Sequence, residues 1–151
     1  MSIAERISDL LTEARYRLES GKRALAVELT EQASRALENL DPSHPQRGEA
    51  CADLSAMLRD LGDHQRCETL VKEAIALETS RESPQQIILG TRQLFYAMFL
   101  HDRGRLAEAA EQAAAGVASY ARGTSSEDKE LGVVREMAAK IIRDAQGHPA
   151  S

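Results

Sequence analysis

The sequence predicts an all-α protein: an α-solenoid of three antiparallel helical hairpins followed by a seventh, closing helix. Three observations carry that prediction. Apolar residues recur at three- and four-residue steps along the chain, the spacing of one face of a helix. No alternating run of Val, Ile or Tyr marks a strand, and no Asn-Gly or Asp-Gly pair marks a β-hairpin turn. Break residues return at a fixed interval: Gly21, Gly62 and Gly104 stand 41 and 42 residues apart, while Pro42 and Pro84, like Ser83 and Ser125, stand 42 apart.

The first helix opens on Ser2-Ile3-Ala4-Glu5, a capping box that satisfies free amides at a helix start. Ile3, Ile7, Leu10, Leu11, Ala14 and Leu18 then form one apolar face, and Gly21 ends it. A second helix runs from about Lys22 to Leu40 with Leu25, Leu29, Ala33, Ala36 and Leu37 expected inward. Asp41-Pro42-Ser43-His44-Pro45 stops it, because proline lacks the amide and clashes with the preceding turn. Ser43 and Gln46 suggest the next capping box; a third helix reaches Leu61, Gly62-Asp63 turns the chain, and a fourth reaches about Glu78. Ser83-Pro84-Gln85-Gln86 reads as an N-cap Ser, a first-turn Pro and a reciprocal Gln opening a fifth helix to Asp102. Gly104 introduces a sixth, about Leu106 to Ala121, and the polar break Gly123-Thr124-Ser125-Ser126 precedes the seventh, which carries Leu131, Val134, Met137, Ala138, Ile141 and Ile142. The expected organisation is one domain over residues 1–146, with hairpins at about 2–40, 43–79 and 83–121, a cap helix at about 126–145, and a flexible tail at 147–151.

The repeat extends into the helices. Five residues after each turn glycine stands a small residue, Ala26, Cys67 or Ala109, and twelve residues after it another, Ala33, Ala74 or Gly116. Small residues in phase let paired helices approach backbone to backbone. A period near 40 with two helices per period is the mark of a helical solenoid.

Composition narrows the function. Aromatics are 3% of residues and Trp is absent, so the core must be built from Leu, Ile, Val and Ala. The net charge of −5 and the lack of a clustered Lys/Arg stripe argue against nucleic acid, whose phosphates demand such clusters. Residues 1–15 carry Glu5, Arg6, Asp9 and Glu13 and do not read as a signal peptide, and no apolar run approaches the roughly 20 residues of a membrane helix. Cys51 and Cys67 are therefore expected to be small buried thiols in a reducing cytoplasm rather than a disulfide.

The stretch Leu58-Arg59-Asp60-Leu61-Gly62-Asp63-His64-Gln65-Arg66-Cys67, continuing through Leu70, Val71, Ala74, Ile75 and Leu77, resembles the helix-turn-helix core of a tetratricopeptide repeat. The period, with Leu40-Asp41-Pro42-Ser43-His44-Pro45 in the linker, is similar to the long-helix, kinesin-light-chain-like variant of that family, and the resemblance covers nearly the whole chain. Glu13 and Arg17 depart from it, standing where the family pattern favours apolar residues; the first hairpin then reads as a degenerate cap with a polar outer face. Such a resemblance implies a concave groove lined by the first helix of each hairpin. Carried over residue by residue, the lining is Leu11, Arg15, Leu18 and Glu19; Ala52, Ala56, Arg59 and Asp60; and Leu94, Met98, His101 and Asp102. Ala52 and Ala56 should leave a hollow, walled by Leu11 and by Leu94 or Met98, with Arg15 and Arg59 at its margin. A partner segment with an apolar side chain and an acidic group would fit it. The opposing reading is that these are ordinary solvated or inter-repeat residues, or that the closing helix fills the groove. A chaperone-type carboxylate clamp is not expected, because the Lys and Asn positions it needs are occupied by Leu11, Arg15, Ala52 and Ala56, and Asn39 is the only Asn.

Catalysis and cofactors find little support. His64, Cys67 and Cys51 could be imagined around a metal, yet structural zinc normally takes four ligands and both cysteines occupy packing positions. His101-Asp102 beside Arg103 and Arg105 lacks a converging nucleophile, since adjacent helix residues point apart. Tyr16, Tyr96 and Tyr120 read mostly as core, while Phe95 and Phe99 could alternatively mark an exposed patch. The expectation is a non-enzymatic adaptor or scaffold that binds a protein or peptide, without cofactor, nucleic acid or membrane. Two alternatives stay open: a self-assembling unit, such as a homodimer stacked through uncapped ends, and a small secretion-type chaperone for one substrate.

Overall fold

The computed structural model describes residues 1–147; the expected tail beyond Gly147, with His148, lies outside the described residues. Among them the fold is all-α, with seven helices joined as hairpins: α1 (Ile3–Glu19), α2 (Arg23–Glu38), α3 (Arg47–Asp60), α4 (His64–Thr79), α5 (Gln86–Asp102), α6 (Leu106–Arg122) and α7 (Lys129–Gln146). No helix among the described residues is long and apolar enough to cross a membrane. The chain forms two compact units, Met1–Ala74 and Ile75–Ser151.

The three hairpin turns are built alike. Gly21, Gly62 and Gly104 have φ of 77°, 84° and 76°, and no other described residue has a positive φ. This left-handed conformation is nearly free for glycine and strained for a side chain. Each glycine amide bonds back three residues, to Leu18, Arg59 or His101, and the next amide bonds back five, to Arg17, Leu58 or Leu100. That double bond is the Schellman closure of a helix C-terminus. The helix that follows brings its small residues inward: Ala26, Cys67, Ala109, Ala33 and Ala74 have no exposed surface, and Gly116 is buried as well.

In the first unit α1 packs on α2 and both pack on α3. Its core is Ile7, Leu11 and Ala14 of α1, Ala26, Ala33 and Leu37 of α2, and Cys51, Leu54, Met57 and Leu58 of α3. On α2 the expected Ala33 and Leu37 face inward, but in its first half Ala26 and Thr30 take the places expected of Leu25 and Leu29. Ala26, Thr30, Ala33 and Leu37 face in, whereas Leu25 is 37% exposed. The buried Thr30 is tolerated because its hydroxyl donates to the Ala26 carbonyl at 2.7 Å. Glu13 and Arg17, which broke the apolar pattern, form an ion pair one turn apart on α1.

Two expected helix starts are built differently. Ser43 does not cap α3: its amide and hydroxyl both donate to Asp41 Oδ1, His44 Nδ1 accepts the Gln46 amide, and the helix begins at Arg47. Arg47 then reaches back and donates to the Leu37 and Leu40 carbonyls, closing the C-terminus of α2. Its Nε also meets Glu73 Oε2 at 3.1 Å, and the Cys51 thiol donates to that same oxygen at 2.9 Å. Burial tends to raise the Glu73 carboxyl pKa, but the bonds from Cys51 and Arg47 outweigh it and hold the group below the usual glutamate value. A carboxyl depressed in the fold stabilises above its unfolded pKa, and that stability is lost as pH falls through the folded value. Between about pH 6 and about pH 3 the urea midpoint of the native chain should therefore fall further than that of Glu73→Gln. Equal falls would show that Glu73 takes no part in acid sensitivity.

In the second unit α5 packs on α6, α6 on α7, and α5 also touches α7. Here Ser83 likewise does not cap α5, which starts at Gln86. The carboxylate of Glu78, near the end of α4, takes that role by accepting the Gln85 amide at 3.0 Å. Glu78 is 2% exposed and its other oxygen meets Arg81 at 3.3 Å and Arg92 at 3.8 Å. The α5–α6 contact is made by glycine. A Cβ on Gly90 would lie 2.7 Å from the Tyr120 amide nitrogen and 2.8 Å from the Gly116 carbonyl, and one on Gly116 would lie 2.7 Å from Leu94 Cγ. α7 is capped by Asp128, whose carboxylate accepts the Glu130 amide at 2.7 Å. Phe99 is buried and stacks on Tyr96 with ring centroids 6.3 Å apart, so Phe95 and Phe99 do not form an exposed patch; Tyr16 is the aromatic that faces solvent.

Candidate partner-binding face

On α3, burial leaves one stripe open. Gly48, Ala50, Cys51, Leu54, Ser55, Met57 and Leu58 are buried, while Glu49, Ala52, Asp53, Ala56, Arg59 and Asp60 are half-buried or exposed. These positions recur at three- and four-residue steps and so share a helix side. On α1 the open positions in the same phase are Ser8, Thr12, Arg15 and Glu19.

The expected lining residues fall into two groups in the first unit. Arg15, Leu18, Ala52, Ala56 and Arg59 are half-buried at the surface. Leu11 is turned inward into the core at 7% exposure, so it does not wall a hollow. Its neighbour Thr12 takes the open position: the lining assigned from the repeat was one residue early at this turn of the helix. Thr12 and Asp53 are thus members of the stripe that sequence reasoning missed, and both follow an apolar or small residue that drew the assignment.

Two of the expected residues are brought together by a third. Arg15 Nη1 of α1 pairs with Asp60 Oδ2 of α3, and Arg59 Nε lies 3.3 Å from Asp60 Oδ1. Side-chain exposures of 38%, 33% and 28% for Arg15, Arg59 and Asp60 leave all three within reach of solvent. A carboxylate shared by two guanidiniums is a charge-assisted cluster in a partly screened setting, strong in geometry and modest in stability. Chemically it presents two fork-shaped donors side by side, next to the short side chains of Ala52 and Ala56.

In the second unit the expected lining residue Leu94 is likewise buried, packed against Gly116, while Phe95 is half-buried in the open phase. Met98 is half-buried and Asp102 is exposed. His101 turns to α7, its Nε2 lying 2.6 Å from Asp144 Oδ2. That partner is 43 residues away in sequence and carries no local signal. The pair ties α5 to α7, and a histidine–carboxylate pair alone does not constitute acid–base machinery without a positioned nucleophile.

Cys51 and Cys67 are both free and fully buried. Burial pushes the Cys67 thiol up to about 11, which suits an inert packing residue. Among the described residues, no group of three or more His, Cys, Asp and Glu could hold a metal ion. The chain matches no protein-family model and no curated protein.

Proposed function

We propose that this chain is a protein-binding adaptor of tetratricopeptide-like, long-period type, which holds a partner segment on the open side of its first helices. The observation that supports this reading is the convergence of Arg15 and Arg59, from successive first helices, beside the small side chains of Ala52 and Ala56. An aliphatic side chain of the partner fits over the alanines, and its carboxylate engages the guanidiniums in competition with Asp60. In the second unit, Met98, His101 and Asp102 stand at the equivalent positions of α5. The three matched Schellman turns support the repeat assignment, since each sets its hairpin with the same two backbone bonds. The role is binding rather than catalysis, and two buried free thiols fit a reducing, cytoplasmic setting.

The test uses affinity capture from native lysate followed by titration of the captured partner. Arg15→Glu with Arg59→Glu should weaken binding at least about tenfold, because hot-spot arginines dominate interfaces of this kind. Asp60→Asn should act oppositely and tighten it, by removing the internal competitor. Thermal melts of both variants should stay near the native value, since partly exposed ion pairs contribute little stability. Unchanged capture by the double variant, with its fold intact, sinks the proposal.

A further inference from the structure

We infer that a second cleft, between the start of α1 and the end of α2, binds an acidic, apolar-containing segment of a partner protein. The cleft measures about 480 Å³ and is lined by Ile3, Arg6, Gln32, Arg35, Ala36 and Asn39. Arg6 and Arg15 are nine residues apart, two and a half helical turns, so this cleft opens on the side of α1 opposite the Arg15–Asp60–Arg59 cluster. The inference therefore does not rest on the binding face proposed above.

Four of the six lining side chains carry N–H donors and none is a carboxylate, in a chain whose net charge is −5. Among the described residues neither Arg6 nor Arg35 forms a direct ion pair, although the charge of Arg35 is near enough to Glu31 to help Arg66 hold its carboxyl below the usual glutamate value. The reason is visible in the neighbouring pairs. Glu31, the acid one turn before Arg35, is held by the guanidinium of Arg66 through two bonds. Glu5, next to Arg6 in sequence, lines a different cleft on the α3 side of α1, of about 180 Å³, together with Glu49 and Asp53. The two helix ends at the cleft act in opposite senses. α1 begins here, and the N-terminal end of a helix attracts negative charge. α2 ends here at Glu38 with the opposite, negative partial charge, and Arg47 engages its Leu37 carbonyl, so the positive sign of the cleft rests on Arg6 and Arg35.

The remaining walls are apolar: Ile3 is 39% exposed and Ala36 half-buried. Two guanidiniums and two amides around an aliphatic floor match a segment that alternates carboxylate and aliphatic side chains. The acidic cleft across α1 repels that same segment, so the two flanks of one helix discriminate by charge.

The experiment titrates the full chain against a short fluorescein-labelled peptide of alternating glutamate and leucine, read by anisotropy. The native chain should bind, with affinity that falls as salt rises. Arg6→Glu with Arg35→Glu should weaken binding at least about tenfold, the uncharged Arg6→Gln with Arg35→Gln should do so in part, and Arg15→Glu with Arg59→Glu should leave it unchanged. Circular dichroism melts of each variant establish that the fold is retained. No binding by the native chain, or unaltered binding by both Arg6/Arg35 variants, overturns the inference. Loss on changing Arg15 and Arg59 alone assigns the peptide to the other face and also overturns it. Displacement of the peptide by inorganic phosphate at matched ionic strength would make the cleft a small-anion site, which is a different function.

Discussion

Gly90→Ala should destabilise the protein by about 1–3 kcal/mol, although alanine is the better helix former by up to about 1 kcal/mol. The added methyl would meet the backbone of α6 at 2.7 and 2.8 Å, at the Tyr120 nitrogen and the Gly116 oxygen. Backbone atoms of a packed helix cannot rotate away as a side chain can, so the two helices must separate or α5 must shift. Both responses loosen the contacts of Leu89, Leu94 and Ala113, which are core residues. The matched control is Gly132→Ala in α7, where a Cβ meets nothing within 4 Å. There the helix-propensity gain should appear undiminished, as stabilisation of up to about 1 kcal/mol. Urea denaturation of the two variants and the native chain measures both. Equal effects of the same sign would show that α5 and α6 are not held at the separation described.

Glu78→Ala is expected to be more costly, about 3–5 kcal/mol, the range for removing one partner of a buried charge pair. Glu78 is 2% exposed and Arg92 is 11% exposed, so the arginine would lose its carboxylate in a poorly solvated place. The same change removes the acceptor for the Gln85 amide, a side-chain bond that closes the N-terminus of α5. Glu78→Gln keeps the size and an acceptor oxygen, and should recover part of the loss. Thermal melts with amide exchange at the start of α5 separate the two contributions. If Glu78→Ala melts like the native chain, the buried carboxylate is not a structural staple. Arg81 is a weaker participant, being 45% exposed, and its removal should cost less than about 1 kcal/mol.

The hairpin architecture was legible because its determinants are local. Gly21, Gly62 and Gly104 mark positions where the backbone must turn left-handed, and each does so. The small residues five positions after them are buried because close helix pairing leaves no room for larger ones. Helix starts were harder. Ser2 was legible as a cap, since a hydroxyl and an amide three residues apart suffice, and the bond forms at 3.0 Å. Ser43 and Ser83 carried the same local pattern without forming it. At the first, Asp41 competes for the serine; at the second, Glu78 reaches the amide from another helix.

The candidate face was legible in part. Arg15, Ala52, Ala56 and Arg59, positions that the tetratricopeptide resemblance implied, are half-buried at the surface of their helices. Leu11 and Leu94 are not, because a helix face turns by about 100° per residue and an error of one position exchanges core for surface. The Arg6–Arg35 cleft had no sequence signal. Its two arginines are 29 residues apart, and only the antiparallel return of α2 brings them to one opening.

What the sequence determined by itself is the number of helices, the position of the hairpin turns and the small residues between paired helices. These depend on backbone conformations and periodicities contained within a few residues. What only the tertiary structure decided is which charges meet. Arg15 with Asp60, His101 with Asp144, Glu78 with Arg92 and Arg47 with Glu73 are each set by how helices are packed side by side. An ion pair between helices requires both positions to be known to within a few ångströms, and no local rule supplies that distance. The turn glycines specify that the chain folds back; the packing of the helices specifies which carboxylate each paired arginine meets.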